Sequence, residues 1–164
     1  MSTFSEPSLF RGRLPKTIVL GLIKSESRHG DYKQNAFFFD NFSVNKIQLL
    51  KDEVSVGIRN GLQPNYGTQY QFAEAYMNLL INTGMMDRGC KFEMINFQQG
   101  FSLYAYNLSD SEPMSLVNSF VNGEGNLRLD INFTTAPTKP LEVIVWAIYD
   151  GIMTIDENRT VTMG

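Results

Sequence analysis

The chain has 164 residues, of which 43% are hydrophobic and 19% are charged, and its formal net charge is −3. This length fits one ordinary domain that can bury a sizeable core. The slightly acidic balance lacks the basic footprint of a nucleic-acid-binding protein, and a single cysteine excludes an internal disulfide framework or a Cys-rich zinc site. Twelve phenylalanines and seven tyrosines favour β structure.

Two features bear on targeting. No apolar run approaches the roughly 18 residues that a membrane-spanning helix needs. The first seven residues, MSTFSEP, lack the basic and apolar regions of a signal peptide. The sequence therefore predicts a cytosolic or nuclear protein with no membrane span.

The first half of the chain predicts an arm followed by strands. Residues 1–14 are polar, with prolines near their borders, and predict an N-terminal arm before a domain of residues 15–164. Residues 17–23 form a β-branched apolar run of strand length that is typical of a strand buried on both faces. Residues 43–50 alternate imperfectly and predict a second strand. A hairpin turn at 51–53 then returns the chain along 54–56.

One segment departs from this strand pattern. Residues 69–82 place apolar side chains at helical spacing, at Phe72, Ala75, Tyr76, Leu79 and Leu80. Gly84 follows and can adopt the left-handed conformation that ends a helix. We expect a single inserted helix that covers an edge of the strands.

The second half predicts further strands. Period-two alternation marks residues 101–106, and three more strand patterns follow at 125–133, 141–150 and 152–156, separated by turn-rich segments. Residues 107–123 form a long polar connection. The pattern predicts an all-β chain, a single jelly-roll β-sandwich or barrel of about eight antiparallel strands with one inserted helix at about residues 69–82. Residues 141–148 are predicted to form a central core strand.

Catalytic residues are not evident. His29 is the one histidine and lies near Asp31, which would suit a general base, yet no nucleophile accompanies it, and a solvated loop position is the stronger interpretation. Cys90 follows Arg88 but has no defined histidine partner. Acidic residues near the final strands and in the long connection favour turns over catalysis or calcium binding: Asp110, Glu112, Asp150, Asp156 and Glu157. We predict no enzyme, no cofactor and no metal.

Aromatic residues provide the candidate interaction surface. Flat rings stack on sugars and anchor protein interfaces. Tyr104 and Tyr106 share one face of a predicted strand. Core packing and subunit contact are the alternative uses of these rings. The candidate residues are Tyr66, Tyr70, Tyr104, Tyr106 and Trp146.

A series of short motifs also resembles a protein family. The chain is similar to the C-terminal jelly-roll part of capsid-like proteins of Maverick/Polinton elements and related animal DNA viruses. Each motif is structural, and the order and spacing together are what make the resemblance specific. It covers about residues 8–162 and rests on GRLPKTIVLGL at 12–22, GDY at 30–32, NAFFF at 35–39, LQPNY at 62–66, AEAY at 73–76, GFSLYAYNL at 100–108, GNLRL at 125–129 and IDENR at 155–159.

The resemblance implies a structural role in a virion. The family stacks two barrels in each chain and assembles as pseudo-hexagonal trimers, whereas this sequence matches the second barrel alone and has Ala36 where the family often has proline. The implied protein is a capsid subunit, or a vertex, spike or receptor-binding piece. It would self-associate, with a trimer implied by the family, contact other virion proteins, and assemble in the host cytoplasm or nucleus. The resemblance carries no active-site residues.

Two functions follow as expectations. The first is a virion structural protein that acts through self-assembly and surface contacts, without chemistry. The second is a receptor- or glycan-binding β-sandwich module that uses exposed aromatic rings. A hydrolase on a β-sandwich is the least favoured alternative.

Overall fold

The computed structural model describes residues 2–30, 32–67, 71–86, 88–89, 92–109, 123–149, 151 and 153–163. Within these residues the elements are nine strands and three helices. The strands are β1 (Ser2–Arg13), β2 (Thr17–Lys24), β3 (Val44–Lys51), β4 (Val54–Ser55), β5 (Leu103–Asn107), β6 (Glu124–Phe133), β7 (Leu141–Ile148), β8 (Met153–Ile155) and β9 (Val161–Met163). The helices are α1 (Ser25–Arg28), α2 (Ala73–Asn82) and α3 (Met94–Gln98). The long connection predicted at residues 107–123 lies mostly outside the described residues.

The strands form two main antiparallel sheets. One has four strands in the order β1-β6-β3-β4, the other has three in the order β5-β2-β7, and β8 and β9 pair as a separate hairpin. The two main sheets share one core cluster, and the Tyr106 hydroxyl of β5 donates to the Ile47 carbonyl of β3 across it (3.1 Å). The prediction of an all-β sandwich is therefore confirmed.

Alternation explains the four-stranded sheet. In β6 the apolar residues Leu127, Leu129, Ile131 and Phe133 are buried, while the residues between them are partly exposed. β3 alternates less regularly because its register with β6 shifts between Val44 and Lys46. Such a bulge adds one residue to the strand and offsets the period of two.

The segment predicted as an arm belongs to the sheet. Residues 2–13 form β1, which pairs antiparallel with β6 from Ser2↔Phe133 to Arg13↔Glu124. The register shifts between Glu6 and Phe10, a stretch that contains Pro7. Because a proline and a bulge interrupt the alternation, the strand has no regular pattern in the sequence.

The inserted helix is shorter than predicted, and two further helices are present. α2 begins at Ala73, four residues after the predicted start, and residues 68–70 lie outside the described part. Its apolar stripe is buried as predicted at Ala75 and Leu79, and Gly84 has φ +65° just after the helix. The prediction of one helix is wrong, because α1 and α3 also form, each too short to show helical periodicity.

The three-stranded sheet places β7 at an edge. β2 lies in the centre and is buried along almost its whole length, from Thr17 to Ile23. β7 pairs with β2 on one side, and in the described part of the chain no strand lies on its other side. Every residue of β7 is at least partly exposed. The prediction that residues 141–148 form a central core strand is wrong, because an apolar composition does not reveal on how many sides a strand is paired.

The helices bear on the membrane prediction. Among the described residues, no helix has the length and apolar character required to cross a membrane.

Candidate interaction surface

The predicted aromatic residues divide into a buried group and one exposed residue. Tyr104 and Tyr106 are only 1% and 3% exposed, so neither belongs to an interaction surface, and for them the prediction is wrong. Both point from β5 into the core, where Leu20 and Ile18 of β2 lie opposite them. Trp146 is 57% exposed. Tyr70 lies outside the described residues.

Tyr66 is partly buried and packs against the core. Its ring stacks on Phe72, with 5.3 Å between the ring centroids, and its hydroxyl is 2.8 Å from the hydroxyl of Tyr104. Burial raises the pKa of Tyr66 to about 12 and also raises the pKa values of Tyr104 and Tyr106. These phenols therefore stay neutral at physiological pH and serve as packed hydrogen-bonding groups.

The exposed ring stands on the outer face of β7. Cross-strand pairing places Trp146 opposite Val19, with Ile144 opposite Gly21 and Ile148 opposite Thr17. Because side chains alternate along a strand, Ile144, Trp146 and Ile148 lie on one face of the sheet. We call these three residues the β7 surface. Ile148 is 41% exposed and Ile144 is partly exposed, so this face presents apolar side chains to solvent.

The other face of β7 lines a cleft between the two sheets. The cleft has a volume of about 590 Å³ and is lined by residues of the edge strands β1 and β7. Phe4 and Leu9 come from β1, and the floor is formed by apolar residues of β2 and β6. β7 contributes Leu141, Val143 and Val145. β7 is thus apolar on both faces, and both faces are incompletely covered by the described residues.

A small group of charged residues lies at the start of β7. Glu142 accepts hydrogen bonds from Ser25 Oγ (2.7 Å) and Arg28 Nη1 (2.6 Å). The Ser25 hydrogen bond and then Arg28 lower the pKa of Glu142. Lys139 pairs with Glu26 at 2.9 Å nearby. The charges in this group are therefore paired within the chain.

The catalytic candidates do not assemble in the described part of the chain. His29 is exposed, and its Nε2 is 3.9 Å from Glu142 Oε1, a different carboxylate from the one predicted. Asp31, Cys90, Asp110, Glu112 and Asp150 lie outside the described residues. Asp156 organises the turn between β8 and β9 by accepting from the backbone N–H groups of Asn158 and Thr160. Over the described residues, no three His, Cys, Asp or Glu side chains come together in a way that could hold a metal ion.

Further apolar side chains are exposed outside β7, and the sequence prediction did not include them. The β8–β9 hairpin exposes Met153, Ile155 and Val161, each by more than half. Phe37 and Phe38 are exposed in the loop before β3. Residues 152–156 were predicted as a strand, whereas Phe37, Phe38 and Val161 lie outside the predicted strands, and only the three-dimensional arrangement shows which of these side chains are left uncovered.

Comparison of the chain with protein-family models, with curated proteins and with solved structures finds no match in any of the three.

Proposed function

We propose that this chain is a self-associating structural subunit of a virion, a capsid or virion-associated β-sandwich that works through apolar surface contacts. The observation that carries the proposal is the β7 surface, on which the exposed Trp146 stands between Ile144 and Ile148. Exposed contiguous apolar side chains mark interaction sites in globular proteins, and Trp is enriched among the residues that dominate interface energies.

The burial of the other aromatic residues strengthens this proposal. Tyr66, Tyr104 and Tyr106 pack in or against the core. Among the described residues of the predicted set, the exposed aromatic side chain is therefore that of Trp146. Association of subunits into a closed oligomer would bury such a patch. The virion context comes from the motif resemblance, which covers about residues 8–162.

The test is the oligomeric state of the purified chain. Size-exclusion chromatography with light scattering across a wide concentration range is expected to show a closed oligomer. Trp146→Lys is expected to shift it toward the monomer with little change in thermal midpoint, since the ring is 57% exposed. The matched control is Val54→Lys, which changes an apolar residue of the other sheet that is 70% exposed. A wild-type chain that stays monomeric at every concentration would contradict self-assembly by this domain.

A second candidate function is recognition of a receptor or a glycan through Trp146. The exposed indole favours it, because a flat aromatic ring can stack on a sugar. Trp146 is the one tryptophan of the sequence, so its intrinsic fluorescence reports directly on this site. Binding on a glycan array or to cells is expected to quench or shift that fluorescence and to disappear in Trp146→Ala. An empty array, and cell binding unchanged in Trp146→Ala, would remove this candidate.

A further inference from the structure

The two main sheets end in four edge strands within the described residues, and three of them are protected against pairing. β4 has only two residues. β1 contains Pro7, a register shift and the charged residues Glu6, Arg11 and Arg13. β5 has five residues and packs against α2, whose Asn82 Nδ2 donates to the Ala105 carbonyl of β5 (3.0 Å). Short length, proline, bulges, charge and a covering helix are the devices that keep edge strands from joining other chains.

β7 has none of these protections. It is eight residues long, and it pairs with β2 without a register shift from Thr17↔Ile148 to Lys24↔Leu141. It contains no proline or lysine, and its one charged residue, Glu142, lies near its start. In the described part of the chain β7 has one strand neighbour, β2.

The hydrogen-bonding pattern identifies the groups on the free side. The carbonyls of Pro140 and Ile148 accept from Ser25 N–H (3.0 Å) and Lys16 N–H (2.7 Å), which lie on the β2 side. In an antiparallel ladder, alternate residues direct both main-chain groups to the same side. The main-chain N–H and C=O groups of Val143, Val145 and Ala147 therefore point to the free edge.

We infer that β7 pairs antiparallel with β7 of a second copy of this chain, about a two-fold axis at Val145, so that two three-stranded sheets become one six-stranded sheet. This inference rests on the proposed self-association and names its contact. The two-fold axis is perpendicular to the sheet, so residues of the same face meet. Ile144 then lies opposite the second copy's Trp146, and Val143 opposite the second copy's Ala147.

Charge and side-chain chemistry select this arrangement. Parallel pairing in register would place the two Glu142 carboxylates beside each other, and like charges directly opposite are destabilising. Antiparallel pairing separates them by the length of the strand. A register centred on Ile144 would set Trp146 against the second copy's Glu142. The register centred on Val145 sets Trp146 against Ile144 and Val143 against Ala147, and leaves Glu142 opposite Ile148 at the end of the paired segment.

The exposed ring supplies part of the area that such a contact buries. At 57% exposure, the two Trp146 side chains would bury roughly 200 Å² together. A stable interface buries about 1,200 Å² or more, so the paired backbones and the other apolar residues of β7 have to supply the rest.

Ala147→Pro tests the inference, because it removes an N–H that points to the free edge while leaving the β2 ladder intact, a position where proline is tolerated. We expect the dimer dissociation constant to rise by about tenfold or more, since two intermolecular hydrogen bonds are lost and the ring obstructs the second copy. Ala147→Ser, which keeps the N–H, is the matched control and should dimerise like the wild type.

Crosslinking provides a second measurement that does not depend on the proline variant folding. In a Cys90→Ser background, Val145→Cys lies on the two-fold axis, and a short bifunctional thiol reagent is expected to link two chains through it. Leu50→Cys on β3, far from the β7 edge, should not crosslink. An oligomeric wild type whose Val145→Cys variant does not crosslink overturns the β7 pairing while the proposed function stands. A monomeric wild type overturns the proposed function itself.

Discussion

The two edges of the three-stranded sheet share the central strand β2 but differ in their surroundings. At the β5 edge, α2 packs against the strand, and Tyr104 and Tyr106 are buried. At the β7 edge, Trp146 and Ile148 are largely exposed, and the inner face borders an open cleft. β5 carries Tyr104 and Tyr106 at alternating positions, and β7 carries Trp146. The difference teaches that the face on which a ring lies decides its burial, because Tyr104 and Tyr106 point into the core between the sheets and Trp146 lies on the outer face.

The largest expected effect comes from truncating a ring at the covered edge. Tyr104→Ala removes a side chain that is 1% exposed and contacts Tyr66 and Phe97. We expect the free energy of unfolding to fall by about 3–5 kcal/mol, as for other large core truncations. Urea unfolding followed by circular dichroism measures it. Trp146→Ala at the other edge, measured at a concentration where the chain is monomeric, should change stability by about 0.5 kcal/mol or less. Equal losses at the two positions would contradict the contrast between the edges.

The close packing around Gly21, next to the β5 edge that α2 covers, should give the next largest effect. A Cβ added at Gly21 of β2 would lie 2.8 Å from a methyl carbon of Leu103 and would overlap the ring of Phe39. Gly21→Ala should therefore destabilise the fold by about 1–3 kcal/mol through overpacking. Gly67→Ala is the control, because the nearest atom to its added Cβ is at 3.5 Å. If both variants unfold at the same denaturant concentration, the packing of Phe39 and Leu103 over β2 is not as described.

The sequence predicted the strands best where alternation is regular and the strand is long. Residues 125–133 and 17–23 correspond closely to β6 and β2, and the turn at 51–53 corresponds to the β3–β4 hairpin. The β1 strand was predicted as an arm because Pro7 and the register shift interrupt its pattern. Local alternation shows which residues share a face of a strand. It does not show which element, if any, packs against that face.

The candidate surface illustrates the same limit. Tyr104, Tyr106 and Trp146 all occur at alternating positions of apolar strands, so the sequence treats them alike. Both tyrosines point into the core, where Tyr104 meets the Tyr66 hydroxyl and Tyr106 donates to the Ile47 carbonyl, groups that are far from β5 in sequence. For Trp146 the deciding fact is that it lies on the outer face, opposite Val19 of β2, and this depends on pairing between strands more than 100 residues apart.

A hydrogen-bond deletion sharpens the comparison further. Tyr66→Phe removes one member of the hydroxyl pair with Tyr104 and should lower the free energy of unfolding by about 1 kcal/mol. The double variant Tyr66→Phe/Tyr104→Phe should lower the free energy of unfolding by less than the sum of the two single variants. Each single variant leaves the other hydroxyl without this partner, whereas the double variant removes both hydroxyls. Additive losses in denaturant unfolding would show that the two hydroxyls do not interact.

The smallest expected effect is a difference in how acid changes the stability contributed by the β7 edge and by the β5 edge. At the start of β7, the Ser25 hydrogen bond and then Arg28 lower the pKa of Glu142 below its ordinary value of 4.5. A lowered pKa in the folded state means that the charged carboxylate stabilises the fold at neutral pH, and that this contribution is lost as the pH falls through the folded-state pKa. The thermal midpoint of wild type should therefore exceed that of Glu142→Gln at neutral pH, and the difference should shrink below pH 4.5. The hydroxyl pair at the β5 edge stays neutral over this range, since burial raises the pKa of Tyr66 to about 12. The difference between wild type and Tyr66→Phe should then be unchanged by acid, and a parallel loss at both edges would show that acid acts on the whole sandwich instead of on Glu142.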